Sequence, residues 1–248
     1  RETERIELGT SIVPTYPRHP LALAQEALAV HQLAPGRLRL GVGPSTQRVI
    51  EGTYGIPFEH PQRELREYLT ILKEILQQGK VAYEGRLLRA RGTMDPPPSE
   101  VRVMAAALRQ GAFRLCGEVA DGAISWVCPH PYLLDTALPA LREGAAAAGR
   151  PQPPLVAHTA VAVSEDGEAV REAFRRQLGL YPRFPFYAAM FQDAGFSEAA
   201  EGQFSDRMID AVTVWGNAET VATRLRGLAA DGIGEALVSV LQVGGPGG

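Results

Sequence analysis

The segment Leu155–Val163 reads LVAHTAVAV, and apart from His158 and Thr159 every residue in it is aliphatic. A strand with one face in water alternates apolar and polar side chains, whereas a strand covered on both faces is apolar throughout. The run therefore predicts a buried strand of a parallel sheet covered by helices. Five more segments share this character: Arg5–Val13, Arg37–Val42, Val101–Ala106, Gly122–Val127 and Glu235–Leu241.

Helical patterns separate these predicted strands. Pro61–Gln78 carries apolar side chains at spacings of three and four, starts with a proline suited to a first turn and ends before Gly79. Strands that alternate with helices indicate βαβ units, so the predicted fold class is α/β. Similar patterns predict helices over Pro20–Leu33, Tyr132–Ala148 and Ala218–Ala230, the last N-capped by Asn217.

The order of the elements fits two α/β architectures, a doubly wound sheet and a (β/α)8 barrel. We favour the (β/α)8 TIM barrel with insertions, because no Gly-x-Gly-x-x-Gly motif follows the first strand. Lys80–Pro98 is predicted to be a hairpin and a proline-rich loop, and Glu165–Asp210 a helical excursion broken at Tyr181–Phe186.

The number of predicted strands is too small for a complete barrel. Six barrel strands are predicted, whereas closure needs eight. We therefore expect the first two βα units, about 50–65 residues at roughly 30 per unit, to be absent from this chain. Residues 1–248 are expected to form a single, N-terminally incomplete barrel domain.

The composition excludes several classes of function. The chain has 25 lysine and arginine residues against 28 acidic residues, so its net charge of −3 lacks the basic excess of nucleic-acid-binding proteins. No segment supplies the roughly 20 apolar residues of a membrane span, and no signal peptide is visible. We therefore expect a cytoplasmic protein.

Cys116 and Cys128 are too few for a disulfide framework and are predicted to be buried and reduced.

Two segments at predicted strand ends are suited to ligand binding. In a barrel of this kind the functional residues lie at the C-terminal strand ends. Gly41 and Gly43 bracket one such end, where a missing Cβ either admits a flat ligand to the backbone or only permits a tight turn. Ala106–Gly111 runs from a strand into a helix start, and its Arg109 suits either a phosphate or solvent.

The histidines show no metal-ligand spacing, so a metal site is not expected. His158 interrupts an apolar strand and faces either the barrel lumen or a polar partner beneath the helices. His19 follows the first strand and either acts at the catalytic face or caps the helix that starts at Pro20. No Gly-x-Ser-x-Gly motif occurs, and Glu118 and Asp121 lie at the N-terminal end of a strand, where residues serve stability.

Several stretches of the chain match sequence motifs of one protein family. They are Arg5–Pro20, Leu40–Ser45, Tyr54–Phe58, Arg66–Leu69, Ala106–Leu108, Gly117–Gly122 with Trp126, and Glu143–Arg150. Together they resemble the bacterial luciferase-like superfamily, most closely its coenzyme F420-dependent oxidoreductases. The resemblance covers essentially the whole chain and implies a deazaflavin over the C-terminal strand ends of a TIM barrel. It also implies a homodimer.

The resemblance implies hydride transfer between the deazaflavin and a small organic substrate, with the cofactor supplying the chemistry. The cofactor-binding residues that it implies are Ser11, Ile12, Gly43, Pro44, Ser45, Ala107, Leu108 and Arg109. A non-prolyl cis peptide at Ser11–Ile12 would support the deazaflavin ring. Ala107, Leu108 and Arg109 would hold the cofactor phosphate. Relatives often have two glycines where this chain has Leu108 and Arg109, so here charge would replace close backbone contact.

The substrate side is less defined. Trp126 is the residue implied to meet the substrate, and His19 or His158 is the acid or base that would assist. The sugar-phosphate-oxidising branch carries a lysine on the strand that matches Leu155–Val163, and this strand has none, which disfavours a sugar phosphate. The aromatic residues of the excursion either cover an apolar substrate or pack on the barrel: Tyr181, Phe184, Phe186, Tyr187 and Phe191.

Two other functions stay open at this point. One is an FMN-dependent luciferase-like monooxygenase that works with a separate reductase. The other is a non-catalytic relative that binds a flavin or deazaflavin.

Overall fold

The structure, a computed structural model, describes residues 3–94 and 99–244. The strands are β1 (Leu8–Gly9), β2 (Val13–Pro14), β3 (Leu38–Gly43), β4 (Lys80–Glu84), β5 (Arg89–Thr93), β6 (Arg102–Ala106), β7 (Gly122–Ser125), β8 (Leu155–Val163), β9 (Thr213–Gly216) and β10 (Glu235–Val240). The helices are α1 (Pro20–Leu33), α2 (Gln47–Tyr54), α3 (Pro61–Gln78), α4 (Gln110–Val119), α5 (His130–Tyr132), α6 (Leu138–Ala147), α7 (Gly167–Leu178), α8 (Pro185–Asp193), α9 (Asp206–Val212) and α10 (Ala218–Ala230). Alternation of strands and helices confirms the α/β class.

The long periodic elements coincide with their predicted bounds, and the short ones do not. The bounds of α1, α3, α10 and β8 are as predicted, and β4 with β5 forms the predicted hairpin. The single strand predicted over Arg5–Val13 is wrong, because β1 and β2 are separated by Thr10–Ile12. α2 and β9 were not predicted. The predicted Tyr132–Ala148 helix starts at His130 and contains a π-helical turn at Leu133–Ala137. The proline-rich loop before Pro98 lies outside the described residues.

The chain divides into two compact units, of which the first comprises residues 1–107, 115–123 and 144–153. β1 and β2 each pair in parallel with β3, which pairs in parallel with β6. α3 supplies much of the core of this unit, because its apolar stripe is almost completely buried. Its buried residues include Leu65, Tyr68, Leu69, Leu72, Ile75 and Leu76.

A polar cluster fixes the N-terminal end of β7 in this unit. The carboxylate of Asp121 accepts hydrogen bonds from Lys73 Nζ at 2.5 Å, Gln77 Nε2 at 2.8 Å and the Val103 N–H at 2.9 Å. Glu118 forms an ion pair with Arg66. Both acids are therefore engaged in contacts between elements, which agrees with the interpretation that this end of the strand serves stability.

The second unit comprises residues 108–114, 124–143 and 154–248. β8 pairs in parallel with β9 and with β10. Asn217 Oδ1 accepts the Thr220 N–H at 2.9 Å, which confirms the predicted N-cap of α10. The predicted break at Tyr181–Phe186 is a 3-10 turn at Tyr181–Arg183, after which α8 begins at Pro185.

The structure tests two expectations drawn from the composition, the state of the cysteines and the lack of a membrane-spanning helix. Cys116 and Cys128 are buried and unpaired, as predicted, and burial raises the pKa of each thiol to about 12. A thiol of that pKa is a poor nucleophile at neutral pH. Within the described ranges, no helix combines the length and the apolar character that crossing a bilayer requires.

Candidate active site

The strand ends of the first unit bring several predicted cofactor-binding residues together. The peptide bond between Ser11 and Ile12 is cis, as the resemblance implies. β2 follows directly and pairs with the end of β3, with Val13 opposite Val42 and Pro14 opposite Gly43.

Gly43 is required by packing between strands. A Cβ on Gly43 would lie 2.7 Å from Ala106 Cβ, which is closer than Cβ atoms approach in proteins, and 3.3 Å from Ile12 Cγ1, which is a tight contact. The space on its Cα side is thus occupied by neighbouring strand residues. Close packing against Ala106 and Ile12 is therefore enough to explain why this position is glycine. The approach of a flat ligand is not needed to explain it.

The residues after β3 turn the chain into α2. Ser45 has a left-handed backbone, with φ of 64°, which is uncommon for a residue other than glycine. Thr46 then caps α2 by accepting the Val49 N–H. Pro44 and Ser45 are half-buried at this turn, whereas Ala107, after β6, is buried. Pro44 and Ser45 are thus held between two elements rather than in a free loop.

His19 caps a helix in this structure. Its Nδ1 accepts the Leu21 N–H at 3.3 Å at the start of α1, and its Nε2 lies 3.2 Å from the Arg89 carbonyl oxygen. Of the two roles considered for His19, the contacts support the helix cap.

A buried carboxyl that the sequence analysis did not single out lies behind β2. Glu64 of α3 accepts a hydrogen bond from Thr15 Oγ1 at 2.7 Å, and both side chains are buried. Burial, opposed by the Thr15 hydrogen bond and assisted by the negative charge of Glu67, raises the pKa of Glu64 to about 7. A carboxyl of this pKa can accept or release a proton near neutral pH. A signal existed, since Glu64 stands one turn before Tyr68 in the apolar stripe of α3.

The raised pKa of Glu64 predicts the effect of removing its charge. Glu64→Gln should raise the unfolding free energy by about 2 kcal/mol at pH 8, where wild-type Glu64 is ionised while buried, and by much less at pH 5. The sign follows because the folded state binds the proton more tightly than the unfolded chain, so the stability from the neutral carboxyl is lost as pH rises through 7. Urea unfolding of the wild type and of Glu64→Gln at both pH values measures this change in the unfolding free energy.

The control for this prediction is Glu74→Gln, a half-buried position on the same helix. It removes the same charge without the Thr15 contact. Equal stabilisation of Glu64→Gln at pH 5 and pH 8, or destabilisation at both, would show that Glu64 does not carry the proton we assign to it.

In the second unit, Trp126 and His158 form the centre of an aromatic group. Their ring centroids are 3.9 Å apart with an angle of 33° between the planes, and Tyr181 lies 6.2 Å from Trp126 on the excursion. Tyr181 in turn contacts Tyr187 at 4.7 Å. Trp126 therefore connects the end of β7 with the aromatic residues of the excursion. In contrast, Phe191 is fully buried in the core against Phe204.

Both ring nitrogens of His158 are engaged. Nδ1 accepts the Val127 N–H at 3.3 Å, and Nε2 donates to Ser239 Oγ at 2.9 Å. Val127 has φ of 51°, an unusual backbone for a β-branched residue, so His158 holds a turn that Val127 would not adopt readily by itself. Burial, and secondarily the nearby His130, lowers the pKa of His158 to about 4. The neutral imidazole thus positions the Trp126–Val127 turn, and its catalytic role stays a prediction.

The predicted phosphate-binding segment contains an ion pair. Arg109 Nε donates to Asp193 Oδ2 at 2.7 Å, which joins the residue before α4 to the last residue of α8. The hydroxyl of Tyr132 is buried and makes no hydrogen bond of regular geometry among the described residues. Burial is the largest cause that raises the pKa of Tyr132 to about 12, the nearby Cys128 and Asp193 raise it further, and Arg109 and the Gln110 N–H oppose the rise. Tyr132 and Asp193 had no signal in the sequence, because each depends on a contact with a distant segment.

A second polar side chain is buried without a partner at a strand end. Ser125 is the last residue of β7, is fully buried, and its hydroxyl makes no hydrogen bond within the described part of the chain. A buried hydroxyl without a partner costs roughly 1–3 kcal/mol.

Other features of the structure do not converge on the predicted residues. An open cleft at the end of β9 is lined by Glu165, Asp210, Trp215 and the first residues of α10, and it contains none of the predicted site residues. Its acidic Asp210 is paired with Arg171 at 2.7 Å. No group of three or more His, Cys, Asp or Glu residues suited to a metal ion occurs within residues 3–94 and 99–244.

Comparison with known proteins identifies the family. Residues 1–235 match the family model described as luciferase-like monooxygenase, so the chain belongs to the bacterial luciferase-like family. It is 31% identical over 259 residues to the uncharacterized protein Rv1360 of Mycobacterium tuberculosis, which covers 90% of this chain and 75% of the relative. It is 36% identical over 155 residues to an F420-dependent glucose-6-phosphate dehydrogenase of Microbacterium testaceum, which covers 60% of this chain and 46% of that protein.

Solved structures confirm the fold. An F420-dependent secondary alcohol dehydrogenase in complex with an F420-acetone adduct superposes with a TM-score of 0.77 at 18% identity, over 96% of this chain and 75% of that one. The EDTA monooxygenase EmoA from Chelativorans sp. BNC1 gives 0.76 at 15% identity, over 98% and 70%. The parallel α/β fold thus matches the TIM-barrel fold of luciferase-like enzymes.

Proposed function

We propose that this chain is an F420-dependent oxidoreductase that transfers a hydride between the deazaflavin and a small organic substrate. The curated relatives include proteins named as F420-dependent enzymes, of which one is 36% identical over 155 residues, or 60% of this chain. These relatives favour F420 over FMN within the family. We also propose a single barrel domain that acts as a homodimer in the cytoplasm.

The first turn of α4 is the observation that carries the proposal. Arg109 precedes the helix, and the buried Tyr132 hydroxyl, which has no regular partner, lies by the Gln110 N–H. A helix N-terminus, a guanidinium and a tyrosine hydroxyl are donors suited to a phosphate. The residues present thus fit the phosphate of a flavin-type cofactor.

The remaining predicted residues would hold the ring. In the first unit, the cis peptide Ser11–Ile12 and the Gly43–Ser45 turn would present backbone to it. When bound, the deazaflavin supplies the hydride chemistry. The chain's residues would orient the reactants and exclude water, and Trp126, fixed by His158, would contact the substrate. Ala107 and Leu108 would contact the phosphate beside Arg109.

An FMN-dependent monooxygenase is the second candidate function. The similarity in fold to EDTA monooxygenase favours it, as does the phosphate site, since FMN also carries a phosphate. The two functions differ in their use of oxygen, because a monooxygenase consumes it and a hydride transfer does not.

Turnover under anaerobic conditions tests the proposal. The purified chain is mixed with reduced F420 and a panel of ketones, enones and imines, and with oxidised F420 and a panel of alcohols. We expect F420 to change redox state with at least one substrate class without oxygen. Activity only with reduced FMN and oxygen would support the monooxygenase, and no turnover despite tight cofactor binding would support a non-catalytic relative.

A further inference from the structure

We propose that Asp193 is a latch on the phosphate-binding cation: it holds Arg109 until a cofactor phosphate replaces it, and so it weakens the binding of phosphate-bearing cofactors. The inference rests on the proposed function, since it concerns the same site. It adds a residue, contributed by the excursion, that determines cofactor affinity.

Arg109 already binds an anion in this structure. Arg109 Nε and Asp193 Oδ2 are 2.7 Å apart, and the Asp193 carboxylate is thus the anion that Arg109 binds in this structure. Both side chains are nearly half exposed, at 47% and 41%. Exposed ion pairs contribute little net stability, so exchanging the carboxylate for a phosphate does not require a large opening energy.

The donors around the ion pair suit a phosphate better than a carboxylate. Tyr132 is 3% exposed, and its hydroxyl lacks a regular partner although the Gln110 N–H acts on it. Arg109 and Asp193 also act on Tyr132, so all three side chains share one environment. The Asp193 carboxylate binds Arg109 through one nitrogen, Nε. A phosphate diester has two non-bridging oxygens that can each accept more than one hydrogen bond, so it can bind the guanidinium, the helix N-terminus and the hydroxyl together.

The negative charge of Asp193 also opposes phosphate binding. Asp193 would repel a bound phosphate once Arg109 turned away from it, so it opposes binding both by competition and by repulsion. Removing its charge while keeping its shape should therefore tighten binding. The effect is confined to ligands with a phosphate, because the ring makes no use of Arg109 in the proposed site.

The experiment measures dissociation constants by fluorescence titration. Asp193→Asn is expected to bind F420 about three- to fivefold more tightly than the wild type, the range that an exposed ion pair provides. FMN should show the same gain. Riboflavin and the deazaflavin riboflavin analogue, which lack the phosphate, should bind unchanged. Asp206→Asn is the matched control, since it removes the charge of another exposed acid paired with an arginine, Arg175.

A double variant separates the latch from a general charge effect. Arg109→Ala should weaken F420 binding about tenfold or more, as expected for a lost charged hydrogen bond. In that background the gain from Asp193→Asn should be clearly smaller, because there is no cation left to release and only the repulsion between Asp193 and the phosphate is removed. An equal gain in both backgrounds would overturn the latch, and so would unchanged or weaker F420 binding by Asp193→Asn alone.

Failure of the latch and failure of the proposed function give different results. If wild-type protein binds F420 but Asp193→Asn does not differ from it, only the latch is wrong. If neither the wild type nor any variant binds F420 or FMN, the proposed function is wrong and the latch falls with it.

Discussion

Replacing His158 by alanine is expected to lower the unfolding free energy by about 3 kcal/mol at pH 7. The change removes the acceptor for the Val127 N–H and the donor to Ser239, and leaves a cavity beneath Trp126. Buried donors without partners cost roughly 1–3 kcal/mol each, and a cavity adds to that. Urea unfolding measures it, with His60→Asn as the control because His60 is exposed and its left-handed backbone suits asparagine.

The same variant should change the acid dependence of stability. The pKa of His158 falls from 6.5 to about 4 on folding, and His130 behaves alike. Below pH 6.5 the unfolded chain therefore binds protons that the folded state does not, and unfolding becomes easier by up to about 1.4 kcal/mol per pH unit for each histidine down to pH 4. His158→Ala should remove about half of that slope. An unchanged slope, or a loss under 1 kcal/mol at pH 7, would contradict the role of His158 in fixing the Trp126–Val127 turn.

Adding a side chain at Gly43 should have a comparable effect on stability and a larger one on binding. Gly43→Ala places a Cβ 2.7 Å from Ala106 Cβ, and Gly43→Val adds two methyl groups beside Ile12. Overpacking of this kind costs about 1–3 kcal/mol, and we expect the upper end for valine. Because Ile12, Pro44 and Ser45 must shift with the strand, F420 affinity should fall more than tenfold.

Unfolding and F420 titration of the same preparations measure the two effects of Gly43. Gly92→Ala is the control, since Gly92 lies in β5 and a Cβ there meets no atom within 4 Å. If Gly43→Ala were as stable as Gly92→Ala and bound F420 normally, the strand packing at Gly43 would not shape the site.

The elements with strong local signals could be predicted from the sequence. α3 and α10 carry apolar spacings of three and four, together with a first-turn proline or an N-cap, and their bounds are as predicted. β8 is one uninterrupted apolar run. The break at Thr10–Ile12 could not be predicted in the same way, because it depends on Thr10, whose hydroxyl donates to the Gly41 carbonyl at 2.8 Å and accepts the Gly41 N–H at 2.9 Å.

The partners of the site residues could not be predicted for a similar reason. His158 bonds to residues 31 and 81 positions away, and Arg109 to one 84 positions away, and nothing in the local sequence identifies them. The role of Gly43 could not be predicted either. Two glycines at a strand end are the same sequence signal whether a ligand or the side chain of Ala106 fills the space beside them. Residue types support the prediction of where the site lies, and long-range contacts determine the partner of each of these residues.

Equilibrium binding of the two cofactors tests the central claim most directly. The purified chain is titrated with oxidised F420 and, in parallel, with oxidised FMN, and the protein-bound fraction is identified by absorbance near about 420 nm for the deazaflavin and about 450 nm for FMN. We predict that F420 binds at least tenfold more tightly than FMN and that Arg109→Ala weakens it. Tighter binding of FMN, or the absence of F420 binding, would contradict the assignment of this chain as an F420-dependent oxidoreductase.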